Sequence, residues 1–174
     1  PAVFALIAAT MLLHGFALRP LARKLKLTLS NVPALAIVGA NPWTRNMAEV
    51  VVKAGTPVTM VDTAARGLVP AKRAGIPVLH AEMLSDAGAE SLEELPADYL
   101  IAATPDAIYN GMVCAHLAPH FGRARVYQVS PGLKKLDEYR GFRRDARGKL
   151  MGESEWNFTL PEPLYHDGWR FVAR

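Results

Sequence analysis

The chain has 174 residues, of which 51% are hydrophobic and 21% charged, with 13 glycines and 13 prolines. This is enough apolar content for a buried core, and it excludes collagen-like, low-complexity and disordered classes. A single cysteine, Cys114, excludes a disulfide scaffold and any CxxC zinc or redox motif. The net charge of +4 is unevenly placed: residues 1–48 hold five basic residues and no acidic one, whereas the following 126 hold 15 basic and 16 acidic residues. The start at Pro1 leads us to expect a piece of a longer chain.

Ala2 to Leu18 is an uncharged apolar run, AVFALIAATMLLHGFAL. As a helix it would span about 26 Å, a little less than the ~30 Å hydrocarbon core of a bilayer. Its apolar residues fill every side rather than one stripe. The cluster RPLARKLKL follows directly, with Arg19, Arg23, Lys24 and Lys26. Positive charge immediately after an apolar span is the pattern of a membrane helix emerging on the cytoplasmic side, where it meets anionic lipid. A signal peptide would carry its charges before the apolar core. A buried helix of a soluble domain is the competing reading, since His14 and Gly15 interrupt the span. The expectation is the end of a last transmembrane helix over residues 1–18 and a basic connector over 19–33.

From Leu35 the pattern alternates between short apolar strands and helices. Leu35–Val38 reads as a buried strand ending at Gly39, and Asn41-Pro42 as a helix start, with Asn41 suited to the cap and Pro42 to the first turn. Met47, Val50, Val51 and Ala54 continue that helix to Gly55. Pro57 to Val61 predicts a second strand that ends at Asp62, Ala64–Ala74 a helix, and Pro77–Leu79 a third strand. Tyr99–Ala102 predicts a fourth strand, Asp106–Leu117 a helix, and Arg125–Val129 a fifth strand. The fold class is α/β, a Rossmann-like parallel sheet with helices on both faces, over residues 34–131.

Asp62 lies 23 positions beyond Gly39, at the tip of the second strand, where a dinucleotide-binding fold places the acid that accepts from ribose hydroxyls. The glycine loop is incomplete: GxGxxG from Gly39 would need glycine at 41 and 44, but Asn41 and Thr44 stand there. The helix start can still hold phosphate through its N–H groups, with Thr44 and Arg45 beside it. Each residue also has a plain structural reading: Gly39 as a tight turn, Asp62 as a cap for the next helix, Arg45 as a surface charge.

The segment AIVGANPWTRNMAEVVVKAGTPVTMVD resembles the TrkA-N domain, also called the N-terminal RCK domain. More narrowly, GANPWTRNMAEVV, LVPAKRAGIPVLHAEMLS, AATPDAIYN and FGRARVYQVSP resemble the cytoplasmic tails of bacterial sodium/hydrogen antiporters, whose last membrane helix is followed by a segment like Arg19-Pro20-Leu21. The resemblance covers residues 1–131. It implies a nucleotide site built from Gly39, Asn41, Thr44, Arg45, Asp62 and Thr63, with Glu82 at the pocket edge and Thr104 and Asp106 beside the cleft. Many relatives have Gly-Asp where this chain has Ala81-Glu82. The implied ligand is NAD or NADH, an adenine nucleotide (AMP, ADP or ATP), or none. The implied partners are the transmembrane antiporter domain of the same chain, membrane lipid at the N-terminal helix, and a second copy in a homodimer, with no nucleic acid. The implied location is the bacterial inner membrane, with the domain on the cytoplasmic side. It would regulate transport by ligand-linked conformational change and would not itself be an enzyme.

Two alternatives stay open. An NAD-dependent oxidoreductase fragment would need an acid/base residue on a second domain, and a ligand-free Rossmann module would serve assembly alone. His116 and His120 have the i, i+4 spacing of a metal pair, but Ala-Pro-His-Phe-Gly reads as a helix already ending in a loop, and no metal site is expected. Cys114 among Met112, Val113 and Leu117 reads as a core thiol, and His80 as a core or pocket-lining residue. In the tail, residues 132–174, seven basic and three acidic residues crowd between Lys134 and Lys149. Leu150-Met151 and Trp169–Val172 are expected to pair as strands of a small α+β subdomain, with EPLYHDGW as the turn and Trp156, Phe158, Tyr165 and Trp169 as its core.

Overall fold

The structure, a computed structural model, describes residues 3–7, 10–11, 32–130, 147–152 and 161–173. It falls into two compact units, residues 1–31 and 32–174. In the first, residues 3–7 and 10–11 are helical. The rest of the expected apolar helix, the basic connector up to Asn31, the basic run from Lys134 to Ala146, and Trp156 and Phe158 lie outside the described residues. No described helix is long and apolar enough to cross a membrane.

The second unit is a six-stranded parallel sheet in the order β3-β2-β1-β4-β5-β6. In chain order it runs β1 (Leu35–Val38), α1 (Pro42–Lys53), β2 (Val58–Asp62), α2 (Ala65–Arg73), β3 (Val78–His80), α3 (Asp86–Glu93), β4 (Tyr99–Ala102), α4 (Ala107–Phe121), β5 (Val126–Val129), β6 (Lys149–Met151) and α5 (Pro161–His166). The register aligns Val38 with Val61 on one side and Ala102 on the other, so β1, β2 and β4 end at one level. Central strands buried on both faces explain why their sequences are continuous apolar runs rather than alternating ones.

Each face of the sheet carries its own core. Ile37, Val58, Met60, Ala103 and Val129 pack with Trp43, Met47 and Ala48 of α1 and Leu68 and Ala71 of α2. On the other face, Ala36, Val38, Val61, Leu100, Ala102 and Val126 pack with Met83, Leu92 of α3, and Val113, Cys114, Leu117 and Phe121 of α4. Helices on both sides of a parallel sheet whose order reverses between β1 and β4 make a doubly wound Rossmann fold, as the alternation of apolar runs predicts.

Three expectations need correction. Helix α4 does not stop before Pro119 but runs on to Phe121, where Gly122 (φ 83°) ends it. Pro119 has no N–H to offer the preceding turn, yet the helix runs through it for two more residues. Leu150-Met151 does not pair with Trp169–Val172: it lies in β6, parallel to β5, with Gln128 opposite Leu150 and Val129 opposite Met151. The first five residues of the expected turn EPLYHDGW instead lie in α5. Tyr165 and Phe171 pack against the α1 face of the sheet, Phe171 lies 6.4 Å from the Trp43 ring, and the Phe171 N–H donates to Asn46 Oδ1 at 3.0 Å.

Candidate functional site

Where the strand order reverses, the loops at the carboxyl ends of β1 and β4 separate and leave a crevice, the place where open α/β sheets bind ligands. Here it is a cleft of about 460 Å³, within the size range of small-molecule sites. Gly39, Ala40 and Asn41 from the β1–α1 turn form one wall, Asp62 and Thr63 the end of β2, and Glu82 the β3–α3 loop. Thr104, Pro105, Asp106 and Tyr109 close the β4–α4 side.

The turn after β1 depends on Gly39. Its φ is +109°, and a Cβ there would stand 2.6 Å from the Ala103 carbonyl oxygen, at the end of β4. Only glycine lets β1 and β4 approach this closely without strain. Asn41 then caps α1 in an extended conformation: its side chain accepts from the Thr44 N–H at 3.0 Å, and the Thr44 hydroxyl accepts from the Asn41 N–H at 3.0 Å. This reciprocal box satisfies two of the four N–H positions that a helix start offers, and Pro42 has no N–H at a third. Thr44 is fully buried, and its hydroxyl donates to the Gly39 carbonyl at 2.8 Å.

Asp62 joins the two walls. One carboxylate oxygen accepts from the Ala40 N–H at 2.6 Å and the other from the Ala64 N–H at 2.7 Å. It therefore holds the β1–α1 turn and also starts α2, whose cap residue Ala64 has no polar side chain. A carboxylate has about four acceptor sites, so each oxygen keeps capacity for a donor arriving from the cleft.

Across the cleft, Thr104 is clamped by buried Asn110: the Thr104 N–H and hydroxyl donate to Asn110 Oδ1 at 3.0 and 2.7 Å, and Asn110 Nδ2 donates to the Thr104 carbonyl at 2.9 Å. Asp106 caps α4 by accepting from the Ile108 and Tyr109 N–H groups at 2.8 and 3.1 Å. Glu82 accepts from the Leu84 N–H at 3.1 Å and from the Tyr109 hydroxyl at 2.5 Å. Burial first, and then that bond to Glu82, push the Tyr109 phenol above its ordinary ionisation range.

Of the nine residues singled out from the sequence, Gly39, Asn41, Asp62, Thr63, Glu82, Thr104 and Asp106 come together on the cleft, and Thr44 and Arg45 do not. Thr44 is consumed by the capping box. Arg45 points along α1 and lies 3.7 Å from Glu49, one turn on. His80 is not a lining residue either; its Nε2 lies 2.8 Å from the Thr63 carbonyl. Sequence reasoning missed Tyr109, Ala40 and Pro105. The AATPDAIYN motif contains Tyr109 and was the available signal, but its orientation toward Glu82, 27 positions away, is a tertiary fact. Among the described residues no three His, Cys, Asp or Glu side chains cluster as a metal-binding group.

Tested against a dinucleotide, the lining fits one half and not the other. Asp62 at the tip of β2 is placed for a ribose diol. At the helix start the Asn41–Thr44 box and Pro42 take three of the four N–H positions from a pyrophosphate.

No curated protein matches the chain. Among solved structures, the TrkA-N domain of the inner membrane protein ybaL from Escherichia coli superposes with a TM-score of 0.58 at 10% identity, over 78% of this chain and 96% of that one. The NAD(P)-binding domain of an exopolyphosphatase-related protein from Archaeoglobus fulgidus gives 0.57 at 12% identity, over 78% and 96%. The GsuK channel bound to NAD gives 0.55 at 15% identity, over 83% of this chain and 27% of the channel. At such identities these likenesses establish the fold. The family profile of the TrkA-N domain matches residues 35–130, from the first residue of β1 to the one after β5 and more than half of the sequence, and the chain therefore belongs to the TrkA-N domain family.

Proposed function

We propose that this chain is the nucleotide-sensing regulatory domain of a monovalent cation/proton antiporter, on the cytoplasmic side of a bacterial inner membrane. The observation that carries the sensing role is Asp62: its carboxylate ties the β1–α1 turn to the start of α2 and lines the cleft. A ligand that engages it pulls on two loops at once. Ligands of the class expected are NAD or NADH and the adenine nucleotides. The fold shared with a channel structure bound to NAD and with a TrkA-N domain of an inner membrane protein supports this reading. The apolar run at 2–18 and the basic segment after it support attachment to a membrane domain of the same chain.

Regulation here is linkage. A ligand shifts transport only as far as it binds one domain arrangement better than the other, and the basic connector carries that preference to the transport helices. In this reading the domain acts as a sensor rather than an enzyme. Pairing into homodimers belongs to the same proposal.

The test is thermal unfolding of the full chain against NAD, NADH, AMP, ADP and ATP, since a ligand bound only to the native state raises the midpoint with concentration. A saturable rise for one of them, lost in Asp62→Ala, is the expected result. No rise for any at millimolar concentration would leave the second reading, a ligand-free interaction module. The closed capping box at the helix start is what favours that alternative.

A further inference from the structure

We infer that, within the adenine nucleotides and their nucleoside, the cleft binds through the ribose diol and the base and gains nothing from phosphate. This rests on the cleft being the ligand site, as proposed above, and narrows what fills it.

The inference follows from counting donors and acceptors. Asp62, Glu82 and Asp106 contribute three carboxylates, acceptors only, and the described lining contains no lysine, arginine or histidine. Thr63 aside, each side-chain donor on the walls makes a bond to protein. The Thr104 hydroxyl donates to Asn110, the Tyr109 hydroxyl to Glu82, and Asn41 Nδ2 to the Ala103 carbonyl at 3.3 Å. The backbone donors at Ala40, Asn41 and Thr44 are turned inward in the same way. The N–H groups of Ala40, Asn41 and Thr44 go to Asp62, Thr44 and Asn41, and Pro42 has none. A phosphate, which only accepts at neutral pH, meets acceptors and like charge. A diol, which donates, meets the spare lone pairs of Asp62. The rings of Tyr109 and Pro105 and the methyl group of Ala40 offer apolar surface to a flat base. Opening the capping box to free donors for phosphate would cost the helix its cap.

The test is isothermal titration of the full chain with adenosine, AMP, ADP, NAD and D-ribose, at fixed ionic strength. Adenosine is expected to bind at least as tightly as AMP and about tenfold or more tightly than ADP or NAD. Removing either hydroxyl of the ligand, with 2′-deoxyadenosine or 3′-deoxyadenosine, is expected to weaken binding about tenfold. Because that change is made in the ligand, it does not depend on a variant folding. Glu82→Gln is expected to narrow the gap between adenosine and AMP. NAD or AMP binding tenfold more tightly than adenosine would overturn the inference and leave nucleotide sensing intact. Ribose binding as tightly as adenosine would also overturn it, since a base would then contribute nothing. No binding by any compound would overturn both the inference and the sensing role.

Discussion

Gly39→Ala separates two costs that the structure assigns to one position. The residue has φ +109°, where an L side chain is strained by about 1–3 kcal/mol. Its added Cβ would also lie 2.6 Å from the Ala103 oxygen, 2.8 Å from the Ala103 carbon and 3.0 Å from the Thr104 nitrogen. These are backbone atoms at the end of a central strand, so relief requires moving β4 or the loop, an overpacking cost of about 1–3 kcal/mol. The expected destabilisation is therefore about 2–6 kcal/mol. Gly55→Ala is the control: its φ is +93°, but no atom lies within 4 Å of the added Cβ, so only the strain applies. Urea unfolding of both variants, followed by far-ultraviolet circular dichroism, gives the difference as the price of the β1–β4 approach. Equal losses in the two variants would refute the claim that this approach is rigid and shapes the cleft.

Other substitutions test the walls. In Gly88→Ala the new Cβ would run into the Glu82 carbonyl oxygen and lie 3.0 Å from Ser85 Oγ; a loss of about 1–3 kcal/mol is expected, with a displaced Glu82, and unchanged urea stability would contradict this. Thr44→Val leaves the Asn41 N–H and the Gly39 carbonyl without their buried partner, a cost of about 1–3 kcal/mol. Because Thr44 is structural, the affinity of the folded variant for any cleft ligand should fall far less than that of Asp62→Ala, and an equal fall would return Thr44 to the ligand site. Burial pushes the Cys114 thiol up from 9.0 to about 12, so the unfolded thiol ionises first and stability should fall as pH rises from about 9 toward 12. Tyr109, also raised, adds to the loss above pH 10, and Cys114→Ala should flatten the first part of that slope; a flat profile in the parent chain would refute both assignments.

The parts of the fold legible in the sequence are those fixed by local pattern. Leu35–Val38 followed by Gly39 and Asn41-Pro42 announces strand, turn and cap, because four apolar residues, a positive φ and an N-cap each require particular residue types. Asp62 was legible for the same reason, at a strand tip and a fixed distance from the turn. Helix α3 was not: DAGAESLE is short and carries little apolar surface, and it is held by the Ser85 cap and the buried Leu92. Strand β6 is three residues whose place beside β5 is a long-range pairing that no local pattern encodes. At the site, the spacing that brought Thr44 and Arg45 forward assumed an open helix start. The choice between a phosphate and a capping box depends on side-chain rotamers, and here Asn41 and Thr44 satisfy each other. Tyr109 was hidden because its role depends on how α4 faces the β3–α3 loop.

Hydrogen–deuterium exchange of the full chain tests most directly whether this cleft is where a regulatory ligand acts. The chain would be compared with and without whichever adenine nucleoside or nucleotide binds most tightly. Protection is expected at residues 39–41, 62–64 and 104–109, the loops at the carboxyl ends of β1, β2 and β4, and not at the opposite end of the sheet around 55–57, 75–77 and 122–125. Protection confined to the opposite end, or absent at saturating ligand, would contradict a ligand-sensing role for this cleft.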